Sequence, residues 1–172
     1  GNLVVADAGN NRVVILKEAD RSFIASFHVP GPDWVAVHPK SGAIYVQSGD
    51  VVLKCSDKGQ EVARLTLPKQ KDARWRLALD ASADPAILWA GCKSSLLRSE
   101  DRGSTFADPV PADSVGTQML WRPAADPTRK LVACRIGGGY GSKLHILDEA
   151  TGQVRVVPGD VAGTEGRTHR LG

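Results

Sequence analysis

Apolar and polar residues alternate along this chain in short runs, and the runs recur. The segments WVAVHP, RLALDA and QMLWRP bring Val35, Leu77 and Met119 round at intervals of 42, and Val37, Leu79 and Trp121 at the same intervals. Alternation with a period of two is what a strand with one buried face requires, because successive side chains point to opposite sides of a sheet. A second apolar run follows each of these: AIYV from Ala43, AILWA from Ala86 and KLVAC from Lys130. Leu3, Ile44, Ile87 and Leu131 are spaced 41, 43 and 44 residues apart. A third run follows as RVVIL, VVLKC, SLLR and KLHIL, and a fourth as FIASFHV, EVARLTL, TFADPV and QVRVV. Between third and fourth lie KEADRS, SDKGQ, SEDRGS and DEATGQ. Their carboxylates accept from turn amides and their glycines tolerate positive φ. No stretch carries helical periodicity.

Four strands in each unit of about 42 residues is the pattern of β-propeller blades. The expected fold is therefore all-β, with about four four-stranded antiparallel blades at 1–29, 33–67, 75–110 and 117–157 and a tail at 158–172. The opening GNLVVADAGNNRVVIL, Gly1 to Leu16, has the plan of a second and a third strand, so the first blade lacks its inner strand. A ring takes roughly four to eight blades, and GTEGRTHRLG shows no alternation that would replace that strand. The phase predicts a fragment of a larger ring. The alternative is a closed four-bladed ring in which Val154 to Val161 complete the first blade. Packing between blades falls to Val35, Val37, Leu77, Leu79, Met119 and Trp121.

Gly1, Leu3, Val5, Ala6, Asp7, Asn10 and Arg12 resemble the NHL-repeat motif: a glycine, a short apolar strand, then Asp-x-x-Asn-x-Arg. PDWVAVHPKSGAIYV is similar to the start of another such repeat, with His38 where the family has Asp, whereas Asp80 keeps the acid in the third. Ser99, Asp101, Gly103, Thr105 and Phe106 complete the S-x-D-x-G-x-T-F pattern of an Asp-box, a hairpin device of sialidase-like propellers and of many secreted proteins. Both resemblances imply residues that stabilise blades, with Asp7, Asn10 and Arg12 tying strands together and Asp101 accepting within its own turn. The Asp-box also implies export, to an extracellular or periplasmic location. Some NHL-like and gluconolactonase-like propellers resemble this chain in fold and use a central metal for hydrolase or lyase work. That alternative needs inward carboxylates and histidines from several blades, for which Asp7, Asp50 and His145 are the candidates.

Composition narrows the classes further. The chain has 172 residues, 42% hydrophobic and 24% charged, which suits a folded domain and excludes disorder. No apolar run approaches the ~18 residues of a membrane-spanning helix. Twenty-two basic against nineteen acidic residues leave a net charge of +3, too small to argue for nucleic acid without a concentrated patch. Cys55, Cys92 and Cys134 fit no CxxC signature and read as small buried residues, with a Cys92–Cys134 disulfide the alternative. His28, His38, His145 and His169 occupy different places in the repeat and suggest no shared metal site. RIGGGYGSK, Arg135 to Lys143, has the glycines of a phosphate loop, but Ser142 separates Gly141 from Lys143 and no helix follows. A loop between strands is the better reading. No nucleophile elbow and no cofactor motif is present.

The phase also sorts the loops by end. Asp7 to Asn11, Pro30 to Asp33, Gln47 to Asp50, Pro68 to Arg74, Gly91 to Ser95, Pro111 to Gly116 and Arg135 to Lys143 fall on one face, and the Asp-box falls on the other. PKQKDARWR sets Lys69, Lys71, Arg74 and Arg76 around Trp75 on the first of these faces, and Lys93, Arg135 and Lys143 come from neighbouring loops. Guanidinium and ammonium groups beside an aromatic hold phosphate, sulfate or carboxylate. The expected role is thus a non-enzymatic binding or interaction scaffold without a cofactor. Its ligand site is Lys71, Arg74, Trp75, Arg76, Arg135 and Lys143, and its partner an anionic small molecule, a glycan or a protein. RNA is the weaker alternative, marked by steep salt dependence.

Overall fold

The computed structural model describes residues 1–69, 74–82, 86–92, 95–99, 117–121, 131–136, 143–148, 151 and 153–156. Each alternating run becomes a strand, and successive strands pair antiparallel because turns of two to a few residues connect them. The first sheet is β1 (Asn2–Asp7), β2 (Arg12–Lys17) and β3 (Phe23–His28). In the second, β4 (Pro32–Val37), β5 (Ile44–Ser48), β6 (Val51–Cys55) and β7 (Glu61–Thr66) follow one another in sequence order. In the third, β8 (Arg76–Asp80), β9 (Ile87–Cys92) and β10 (Ser95–Ser99) do the same. The fourth is β11 (Thr117–Trp121), β12 (Leu131–Ile136), β13 (Lys143–Asp148) and β14 (Val154–Val156). Among the described residues the helical content is one 3-10 turn, Ala8–Asn10. This is the all-β, repeated-sheet architecture that the 42-residue unit predicts.

The sheets stack face to face, so a middle strand is buried on both sides and reads as an unbroken apolar run. On β5, Ile44 and Val46 pack with Val13, Ile15 and Val29 of the first sheet. Tyr45, one residue out of phase, packs with Ala86, Trp34 and Leu79 towards the third. Leu88, Ala90 and Cys92 of β9 meet Val52, Leu65 and Leu67 of the second sheet, with Trp75 and Leu77 in the same cluster. Each such aliphatic side chain stabilises the fold by roughly 1.5–3 kcal/mol.

The outer face of the first sheet lacks this cover. Leu3 pairs with Leu16 and Val5 with Val14, in the register in which Ile44 pairs with Cys55 and Val46 with Leu53. Yet Leu3 and Val5 are 40% and 42% exposed, against 2% and 0% for Ile44 and Val46.

Two sequence expectations are corrected. Val37 does not pack between sheets but is exposed at the end of β4. The neighbouring strand there is β1, and the first sheet has no inner strand to stand opposite it. Val154–Val156 pair with β13 and belong to the fourth sheet, so that stretch does not complete the first; 157–161 lie outside the described residues. Cys55 is a free buried thiol, and Cys92 is buried in the core. Burial pushes the Cys55 thiol's pKa up, and Glu61 adds to it.

Candidate functional site

The loops of alternate hairpins meet at one end of the stack, and they are tied to one another through backbone groups. Asn11, in the left-handed region at φ 52°, accepts the Gly31 amide on Oδ1 at 2.8 Å. Its carbonyl accepts the Val29 amide at 3.0 Å, which joins the β1–β2 loop to the β3–β4 loop. Ser48 Oγ donates to the Pro30 carbonyl, and the Leu67 amide donates to the Asp50 carbonyl at 2.7 Å. Trp75 closes the set: its indole N–H donates to the Pro68 carbonyl at 3.0 Å, pinning the connection from β7 to β8.

Between these loops lies a cleft of about 400 Å³, lined by Ala8, Gly31, Pro32, Asp33, Gln47, Gly49, Asp50, Arg74 and Trp75. Four loops from three sheets contribute, as the phase of the repeat predicts for its loop-bearing face. Gly49 turns the β5–β6 hairpin at φ 57°. A side chain there would be strained by the backbone although a Cβ would meet only open space.

Gln47 forms the floor. It is 4% exposed, and its amide nitrogen donates to the Gly49 carbonyl at 3.2 Å and the Trp75 carbonyl at 3.3 Å. Both partners are acceptors, so the amide orientation is fixed and Oε1 faces away from them. Asp33, Asp50 and Arg74 carry the charge, and none of their side chains has an ion-pair or hydrogen-bond partner among the described residues.

Elsewhere polar side chains are consumed locally. At the same end, Asp7 takes Arg12 Nε at 2.8 Å and Asn10 Nδ2 at 2.9 Å. These bonds, Arg12's first, hold its carboxyl below the usual range. At the opposite end every described turn is closed by its own side chain. Asp20 accepts Ser22 Oγ and N at 2.7 and 3.0 Å, and Asp80 accepts Ser82 Oγ and N at 2.6 and 3.0 Å. His38 stands 42 residues before Asp80 and does the same work. Its Nδ1 accepts the Ser41 amide at 3.2 Å and lies 2.9 Å from Ser41 Oγ. Accepting the amide puts the ring proton on Nε2, which is buried without a partner among the described residues.

The expected ligand residues are spread unevenly over this geometry. Arg74 lines the cleft, and Arg76 is exposed at the start of β8. Arg135 and Lys143 lie where β12 and β13 meet at the loop-bearing end, Ile136 pairing with Lys143 and Arg135 with Leu144. Lys71 lies outside the described residues, as do Asp101, Gly103, Thr105 and Phe106. Ser99 is buried at the end of β10. Trp75 is 2% exposed and sits in the core cluster with Leu67 and Leu77. The structure thus shows Trp75 as a packed core residue at the edge of the cleft rather than as an exposed platform, with its N–H spent on Pro68. Sequence reasoning mapped the loops that hold Asp33, Gln47 and Asp50 and singled out only Asp50, as a candidate metal ligand of the enzyme alternative. The available signal for the other two was position: each flanks the turn of a loop on the loop-bearing face.

No family model matches the chain, and no curated protein sequence does. Solved structures do. Hydrazine synthase of Kuenenia stuttgartiensis superposes with a TM-score of 0.67 at 15% identity, over 91% of this chain and 46% of that one. Dihydro-heme d1 dehydrogenase NirN gives 0.66 at 18%, over 91% and 34%, and a chain of a nidogen–laminin complex 0.64 at 12%, over 90% and 60%. The chain thus spans between a third and three fifths of the length of these structures. At such identities the likeness is one of fold: the chain is a β-propeller arrangement of blades.

Proposed function

We propose that this chain is a non-enzymatic binding scaffold that takes its ligand at the loop-bearing end of the propeller, where the ligand presents an anionic group to Arg74. The observation that carries the reading is the cleft. Loops held rigid by Asn11, Ser48, Gln47 and Trp75 surround a space large enough for a small ligand, and Arg74 enters it with no carboxylate partner among the described residues. Preorganised walls reduce the entropy lost on binding. A guanidinium holds an oxyanion with two parallel hydrogen bonds.

Arg76, at the start of β8, and Arg135 and Lys143, where β12 and β13 meet, add positive charge beyond the cleft and suit a glycan, a protein or a small anion; the sequence adds Lys71. The Asp-box pattern at Ser99, Asp101, Gly103, Thr105 and Phe106 supports an exported protein, extracellular or periplasmic. The test is titration of heparin fragments and phosphorylated sugars against wild type and an Arg74→Ala, Arg76→Ala double variant. Binding should weaken at least about tenfold in the variant and fall as salt rises from low to physiological, where exposed charges are screened beyond ~8 Å. Equal binding by both proteins would overturn the anionic reading.

A further inference from the structure

Arg74 is not the only uncommitted charge in the cleft. Every described carboxylate except Asp33, Asp50 and Asp57 has a partner: Asp7 has Arg12, Glu18 the amino terminus, Asp20 Ser22, Glu61 Arg64, Asp80 Ser82 and Asp148 Thr151. Two of those three exceptions line the cleft. Of the nine described acids, six are satisfied locally and two of the remaining three sit where four loops converge.

The floor points the same way. Gln47 is buried, both of its amide hydrogens go to carbonyls of the scaffold, and its Oε1 accepts nothing from any described residue. Oε1 is not one of the enclosed, unpartnered atoms of the core, so a donor can reach it. Gln47 lines the cleft, and a ligand N–H there can supply that donor. Three acceptors therefore surround a space with one cation at its edge. A purely anionic ligand would meet Arg74 but would also face Asp33 and Asp50. A ligand with donors at one end and an anion at the other meets all four groups with matched charge.

We propose that the cleft takes a small zwitterion, its ammonium group received by Asp50, Asp33 and Gln47 Oε1 and its carboxylate by Arg74. The inference rests on the reading of the loop-bearing end as the binding end and adds the cationic half of the ligand to it. A cleft of about 400 Å³ lies at the small end of the range of ligand sites and suits a molecule the size of an amino acid.

The experiment is calorimetric titration at low salt with 6-aminohexanoate, its N-acetyl derivative, which keeps only the anion, and its amide, which keeps only the cation. The zwitterion should bind, and each blocked form should bind at least about tenfold more weakly. Asp50→Asn keeps the side chain's shape and the backbone carbonyl that Leu67 uses. It should weaken the zwitterion and the amide about tenfold and leave the N-acetyl form as tightly bound or tighter; Arg74→Ala should weaken the zwitterion and the N-acetyl form and spare the amide. Equal binding of zwitterion and N-acetyl form would overturn the inference while leaving the anionic reading intact. Equal binding of zwitterion and amide, indifferent to Arg74→Ala, would overturn both. Absence of binding by the zwitterion, with heparin still bound in an Arg74-dependent way, would overturn the inference alone.

Discussion

The two ends of the blades solve the same problem, turning a chain between antiparallel strands, in opposite ways. At the end bearing Asp20, His38 and Asp80, each turn is closed by a side chain within it, and the acceptors are used up by neighbours two or three residues away. At the other end the loops are closed by one another. Asn11 holds Gly31, Ser48 holds Pro30, and Gln47 holds Trp75 across 28 residues of sequence. The first arrangement makes independent hairpins. The second makes a shared surface on which the side chains of Asp33, Asp50 and Arg74 have no partner among the described residues. Local closure spends most of the described acids on their own turns, whereas shared closure leaves two of them facing one cleft.

Breaking the shared end should cost most. Trp75 is both core and clasp, so Trp75→Ala should destabilise the fold by roughly 3–5 kcal/mol, read as a shift in the urea midpoint at unchanged slope. A loss below about 1 kcal/mol would mean that the indole is not holding the third sheet to the second. At the local end the effects are smaller. His38→Ala removes the acceptor for Ser41 and should cost about 1–2 kcal/mol. His38→Asp should cost less, because Asp80 closes the equivalent turn and the ring's unpartnered Nε2 is gone. Equal losses in the two variants would show that ring packing, not turn closure, is what His38 supplies.

The smallest effect separates a pin from a ligand group at the shared end. Arg12 and Asn10 hold the Asp7 carboxyl below its usual value. Its contribution is therefore complete above the ordinary carboxylate range, about pH 4, and is lost as pH falls through the lowered value. Asp7→Asn should melt below wild type at neutral pH, and the two should converge under acid. A gap that persists below about pH 2 would assign Asp7 some role other than accepting from Arg12.

Much of this was legible in the sequence, for a physical reason. Strand order and loop ends follow from a period of two inside a unit of 42, so Val35, Leu77 and Leu79 could be read as packing positions and the loops sorted by end. The function of an individual polar residue was not legible in that way, because it depends on what folding brings beside it. Trp75 among Lys71, Arg74 and Arg76 reads as an aromatic platform in a basic loop. Only the packing of Leu67 and Leu77 around its ring makes it core. Gln47 reads as an ordinary polar residue in a strand, and only the approach of the Trp75 carbonyl makes it the floor of a cleft. His38, by contrast, was legible as the counterpart of Asp80, because both act within their own turn.

The central claim is that one end of the propeller is built for folding and the other for binding. The most direct test is backbone-amide chemical-shift mapping by NMR during titration with a short heparin fragment and, separately, 6-aminohexanoate. Perturbations should concentrate at Ala8, Gly31, Asp33, Gly49, Asp50 and Arg74, and the amides of Ser22, Ser41 and Ser82 should stay where they are. Shifts concentrated at those three serines, with the cleft silent, would contradict the account.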